Sequence, residues 1–133
     1  MLRKISSVGE YNKCVRIKDH EFWVKHATTP DELLDGLMHV KTLDSKNGCL
    51  LDFGNEQSFG LWMKNCSVNL DALVLNAKGE VTDILHMLYS DPNRIHHSQG
   101  KYALELDPFA VSSLDIKVGD KVELNAQTNQ TNQ

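Results

Sequence analysis

Apolar positions recur along this chain with two different periods. Over residues 13–18, Val15 and Ile17 alternate with Arg16 and Lys18, the two-residue period of a strand with one wet face. Asp19-His20-Glu21 reads as a turn and residues 22–26 as a second strand, so an N-terminal hairpin is expected. The period changes after Thr28. Thr29 suits a helix cap, Pro30 the first helical position, and Glu32, three residues beyond Thr29, completes a capping box. Leu33, Leu34, Leu37 and Met38 follow at helical spacing, which predicts a helix over residues 31–38 that ends near His39 or Val40. Gly36 inside that pattern costs about 1 kcal/mol relative to alanine, and such a glycine signals another backbone passing close by.

From Asn47-Gly48 onward the runs are of strand length. Residues 49–53, 59–64, 70–75, 81–87 and 102–106 are apolar or alternating, separated by polar turns at 54–57 and 76–79 and a loop over 91–100. The two runs around Asn76-Ala77-Lys78-Gly79 give the strongest hairpin signal. Residues 109–114 suit a short helix or turn, and 121–124 a closing strand. Many short strands and one helix predict a mainly β (α+β) domain over residues 1–124, a small antiparallel β-sandwich or partly open barrel. Trp62, Leu50, Leu73, Val74, Leu85, Leu104 and Leu106 are its expected core.

Composition narrows the class without changing this picture. The chain has 133 residues, 41% hydrophobic and 24% charged, which suits one soluble globular domain. The net charge of −4 argues against a broad nucleic-acid-binding face. No apolar run approaches the roughly 20 residues that cross a bilayer. The first seven residues lack the apolar stretch of a secretory signal. Cys14, Cys49 and Cys66 cannot all pair within one chain, so free thiols and a cytoplasmic protein are expected. Residues 125–133 hold almost nothing to bury and read as a disordered polar tail.

Several segments follow one another in a suggestive order: Asp35-Gly36-Leu37-Met38, Gly48-Cys49-Leu50-Leu51-Asp52-Phe53, Leu61-Trp62-Met63-Lys64-Asn65-Cys66, Leu70-Asp71, Leu104-Glu105-Leu106, and Ile116 to Val122. This series resembles the uncharacterised family called domain of unknown function 192, over about residues 19–124. Trp-Met-Lys-Asn is its most specific piece. The family usually has an arginine where Asp35 stands, commonly another where His39 and Val40 stand, and a proline where Asn69 stands. The resemblance implies a compact, mostly β domain, and it implies no reaction, substrate or cofactor.

One group of charges resists a packing explanation. If residues 61–66 form a strand, Lys64 shares a face with Trp62 and Cys66; Asp71 shares one with Leu73 and Leu75, and Glu105 one with Ala103. A charge on an apolar face needs a partner or an exit to water. The residues alone leave two readings: each charge at a strand end or on an exposed face, or a partly buried polar cluster of Lys64, Asp71 and Glu105 with Trp62 and Asn65 beside it. The resemblance favours the cluster, because Lys64, Asp71 and Glu105 fall on the family's motifs. A structural ion network suits such a cluster better than catalysis does. The histidines show no metal-ligand spacing and the glycines no phosphate loop, so no metal and no cofactor are expected. The function expected first is a non-catalytic module binding a small ligand or a protein, away from membranes and nucleic acid. The alternatives are an enzyme with an acid/base cluster at Lys64, Asp71 and Glu105, or a structural subunit of a larger assembly such as a virus particle.

Overall fold

The computed structural model describes residues 11–127. In chain order these form β1 (Lys13–Ile17), β2 (His20–Ala27), α1 (Pro30–Asp35), β3 (Asn47–Leu61), β4 (Leu70–Leu75), β5 (Val81–Met87), β6 (His96–Leu106), α2 (Pro108–Ser113) and β7 (Val122–Glu123). The strands make one sheet in the order β5-β4-β6-β3-β2-β1-β7. The fold is mainly β, as the apolar runs predict. The sheet is mixed rather than wholly antiparallel, because β2 and β3 run parallel, Val24 opposite Gly48 and Ala27 opposite Leu51. A parallel pair needs a crossover, and residues 28–46 with α1 supply it.

Seven flat strands at about 4.8 Å spacing would hold the outermost pair nearly 30 Å apart. Instead, Val15 and Ile17 of β1, Leu73 and Leu75 of β4, Val81 of β5, Leu104 and Leu106 of β6 and Val122 of β7 share one buried cluster. The sheet curls, and its edges meet where Glu80 bridges Lys121 and the Val122 amide donates to the Gly79 carbonyl at 2.8 Å. The result is the partly open barrel of the sequence reading, its interior completed by Ala110 and Val111 of α2. The opposite face carries a second cluster: Cys49, Leu51, Ala72 and Ala103 from the sheet, with Leu37, Val40 and Met63 from the segments that cover it.

The helix start is as predicted. The Thr29 side chain accepts from the Glu32 amide, while Glu32 Oε1 accepts from the Thr28 and Thr29 amides at 3.0 and 3.1 Å, a cap of about 1 kcal/mol. Those amides hold the Glu32 carboxyl below its usual range. The helix stops at Asp35, three residues before the predicted end, because Gly36 adopts φ +46°. The expected turn over 54–57 is a bulge inside β3, where pairing with β6 jumps from Asp52–Tyr102 to Gln57–Gly100. Of the expected core, Leu50, Leu73, Val74, Leu104 and Leu106 are buried and Leu85 partly so; Trp62, 38% exposed, is not a core residue. The N-terminal seven residues and the tail beyond 127 lie outside the described residues. Within the tail's described part, Asn125 accepts from Lys13 and the Gln127 carbonyl from Arg16.

Candidate functional site

The five residues singled out from the sequence divide into two places. Glu105 on β6 stands opposite Cys49 of β3 and Ala72 of β4, so its side chain belongs to the outer face, among the second cluster. Asp71 stands opposite Leu106 and therefore on the other face. It is 4% exposed, and its Oδ1 lies 2.9 Å from Nδ1 of His86, its neighbour on β5. The expected Lys64–Asp71–Glu105 cluster thus does not form, since the sheet itself separates the two carboxylates. Lys64 is exposed, with its ammonium 5.2 Å from the centre of the Trp62 ring, and it makes no ion pair among the described residues.

The Trp-Met-Lys-Asn stretch is a turn and not the end of a strand. Met63 is fully buried and anchors it, the Cys66 amide donates to the Met63 carbonyl at 3.1 Å, and Asn65 takes φ +62°. Asparagine tolerates that left-handed conformation better than most residues. The Asn65 carbonyl then accepts from the His39 amide at 2.9 Å, tying the turn to the segment that follows α1. Trp62 is left at the rim of the space between the two. Lys64→Met should accordingly change stability by only about 0 to 1 kcal/mol. In double-mutant cycles by urea denaturation, its effect should add to those of Asp71→Asn and Glu105→Gln within about 0.5 kcal/mol. Coupling of a few kcal/mol with either carboxylate would contradict this separation.

Between α1, the turn and the sheet lies a cleft of about 350 Å³. Leu33, Leu34 and Leu37 form one side, Leu51, Phe53 and Leu61 the other, Trp62 and Asp35 stand at its edge, and Glu105 and Cys66 line it. Phe53 stacks on Phe59 with ring centres 4.5 Å apart, which stiffens the sheet side. Glu105 is 6% exposed and its Oε1 is buried with no hydrogen-bond partner. Burial pushes its carboxyl up to about 7, with the Lys25 ammonium drawing it the other way. That ammonium is held by the Gly36 carbonyl at 2.7 Å. A methyl group on Gly36 would sit 3.2 Å from Glu105 Oε1, so the glycine keeps α1's exit close above the carboxyl. The close approach that Gly36 signals is therefore real, although the group approaching is a side chain.

Cys66 is a poor nucleophile here, because burial, and then the Glu105 charge, push its thiol up to about 11. Burial raises Cys49 as well. No set of three or more potential metal ligands converges among the described residues. Two larger hollows exist among the described residues, and each holds paired polar side chains. In a cleft of about 490 Å³ at the end of the barrel, His26 Nε2 and Asp52 Oδ2 are 3.0 Å apart and Lys13 donates to Asn125. In a groove of about 590 Å³ over β3 and β6, Ser98 donates to Asp83. The other buried side-chain polar atom without a partner among the described residues, His96 Nε2, lines none of these spaces.

Sequence reasoning reached Glu105 and Trp62 but missed Leu33, Leu34, Leu37, Phe53 and Cys66 as cleft residues. The leucines follow the helical period and look like core, and nothing local shows that the helix covers the sheet incompletely.

The DUF192 family, described as an uncharacterized ACR, matches residues 13–124. A Sinorhizobium meliloti 1021 protein described as a candidate transcription regulator has a crystal structure with a TM-score of 0.79 and 30% identity, covering 86% of this chain and 95% of its own. A protein of unknown function from Novosphingobium aromaticivorans DSM 12444 gives a TM-score of 0.76 and 25% identity, over 83% of each chain. No curated protein matches.

Proposed function

Because this chain belongs to the DUF192 family, whose description names no reaction, we propose from the cleft itself that it is a small-ligand-binding domain with its site under α1. The observation that carries this is Glu105: a buried carboxyl with an unpartnered oxygen, lining a mostly apolar cleft. A buried acceptor without a partner costs about 1 to 3 kcal/mol, so a fold that keeps one gains when a ligand supplies the donor. The cleft's volume falls in the range of small-molecule sites, about 300 to 1,000 Å³, and its combination of apolar walls with few polar groups is typical of them. Catalysis has less support. The acid/base pair an enzyme would need is separated by the sheet, and the neighbouring thiol is held protonated.

The test uses three single-ring probes, benzyl alcohol, benzylamine and benzoate, each titrated to millimolar concentration into ¹⁵N-labelled protein. At least one should shift the amides of residues 33–38, 51–53, 60–66 and 105 together with the Trp62 indole N–H. If all three leave those signals in place, the cleft is not a ligand site.

A further inference from the structure

Charge within the cleft is one-sided. Its lining holds two carboxyl groups, Asp35 at the edge and Glu105 deeper in, and no lysine, arginine or histidine. Lys25 donates to the Gly36 carbonyl and acts on Glu105 without hydrogen-bonding it, and Lys64 lies over the face of Trp62. From the strands on either side, Glu105 meets Cys49 and Ala72, neither of which can neutralise it. An ionised carboxyl in that setting has little water and feels Lys25 only from beyond hydrogen-bond reach, and a buried charge of this kind is stabilised by a hydrogen-bonded partner of opposite sign.

We propose that the cleft takes a primary amine carried on an apolar body, its ammonium on the Glu105 carboxyl and its hydrocarbon among Leu33, Leu37, Leu51 and Phe53. This rests on the reading of the cleft as a ligand site and names the ligand class. Three properties converge on an alkyl- or arylalkylammonium. The walls exclude a ligand that is polar throughout. The unpartnered group is an acceptor, so the ligand must donate, and an ammonium offers three donors. Both charges of the lining are negative, which repels carboxylates and phosphates and favours a cation.

Protonation supplies a readout independent of mutation. The charged and titratable groups around Glu105 are Asp35 and Glu32 of α1, Cys66, Cys49 of β3, and Lys25, which stands opposite Cys49 on β2. Burial keeps the two thiols protonated through neutral pH, whereas the Glu105 carboxyl, pushed up to about 7, ionises between about pH 5.5 and 8.

The experiment compares dissociation constants of benzylamine, benzyl alcohol and benzoate from the same ¹⁵N titrations. At about pH 8 benzylamine should bind at least about tenfold more tightly than benzyl alcohol, with benzoate weakest. Its advantage over the alcohol should shrink to about threefold or less at about pH 5.5, and likewise at pH 8 in Glu105→Gln. Asp35→Asn should keep most of it. If the alcohol binds as tightly as the amine, or benzoate more tightly, the ligand class is wrong while the cleft reading stands. If the preference follows Asp35 instead of Glu105, the assignment of the ammonium is overturned. If no probe touches the cleft, both readings fail. Should Glu105→Gln fail to fold, the pH dependence of the unaltered protein decides alone.

Discussion

Glu105→Gln should stabilise the protein by about 3 kcal/mol at pH 8 relative to its effect at pH 4. The carboxyl titrates near its ordinary value of 4.5 in the unfolded chain and at about 7 in the folded one. Between those values the folded state binds more protons than the unfolded state, so stability falls as pH rises through this window. Below pH 4.5 the group is protonated in both states and folding proceeds without that penalty. Above pH 7 it must ionise in a site with little water, and at about 1.4 kcal/mol per unit of displacement the penalty reaches about 3 kcal/mol. Glutamine has nearly the same shape and cannot ionise, so the variant escapes the penalty at high pH only. Urea midpoints of the two proteins, taken in parallel from pH 4 to 8, isolate this group, because every other titration is common to both. A difference that stays constant within about 0.5 kcal/mol across the range would show that the carboxyl reaches water or a counter-ion. A bound amine should remove part of the same penalty, which links this result to the ligand inference.

What the sequence carried and what it withheld follow from the range of the forces involved. The Asn76–Gly79 hairpin and the Thr29 capping box depend on neighbours a few residues away, and they stand where the pattern puts them; the loop expected over 91–100 does not, since β6 begins at His96 and residues 96–100 pair with β3. The parallel pairing of β2 with β3 depends on where the crossover docks, which no local period encodes. Trp62 and Lys64 fail for a related reason. Phe59-Gly60-Leu61-Trp62-Met63-Lys64 alternates well enough to read as one strand, but the chain turns at Asn65 and only Met63 enters the core. Once that strand ends, the argument that Lys64 faces inward ends with it. Asp71 and Glu105 each interrupt an apolar run, and both are buried. Whether they meet depends on the β4–β6 register, a long-range quantity, and that register sets them on opposite faces. The cleft is harder still to read in advance, because it exists where α1 covers the sheet incompletely. Its one local trace is Gly36.

Gly48→Ala should be among the most damaging single-methyl additions in the protein, at about 3 kcal/mol or more. Gly48 lies in β3 between Val24 of β2 and Leu106 of β6. A methyl group there would stand 2.2 Å from the Glu105 carbonyl oxygen and 2.7 Å from Leu106 Cδ2. A side chain could rotate away, but a carbonyl held within a central strand cannot, so relief requires β3 to move off β6. That displaces the residue carrying the cleft's carboxyl as well as the strands beside it. Against a total stability of about 5 to 15 kcal/mol, such a loss could bring unfolding near ambient temperature. Gly60→Ala supplies the contrast on the same strand. Its nearest contact would be Ile95 Cγ2 at 2.7 Å, the end of a half-exposed side chain that can swing aside, so about 1 kcal/mol or less is expected. Urea denaturation of both variants tests the distinction. Equal midpoints would mean that β3 and β6 yield as easily as an exposed isoleucine, and that the backbone around Glu105 is too soft to hold an unpartnered carboxyl in place.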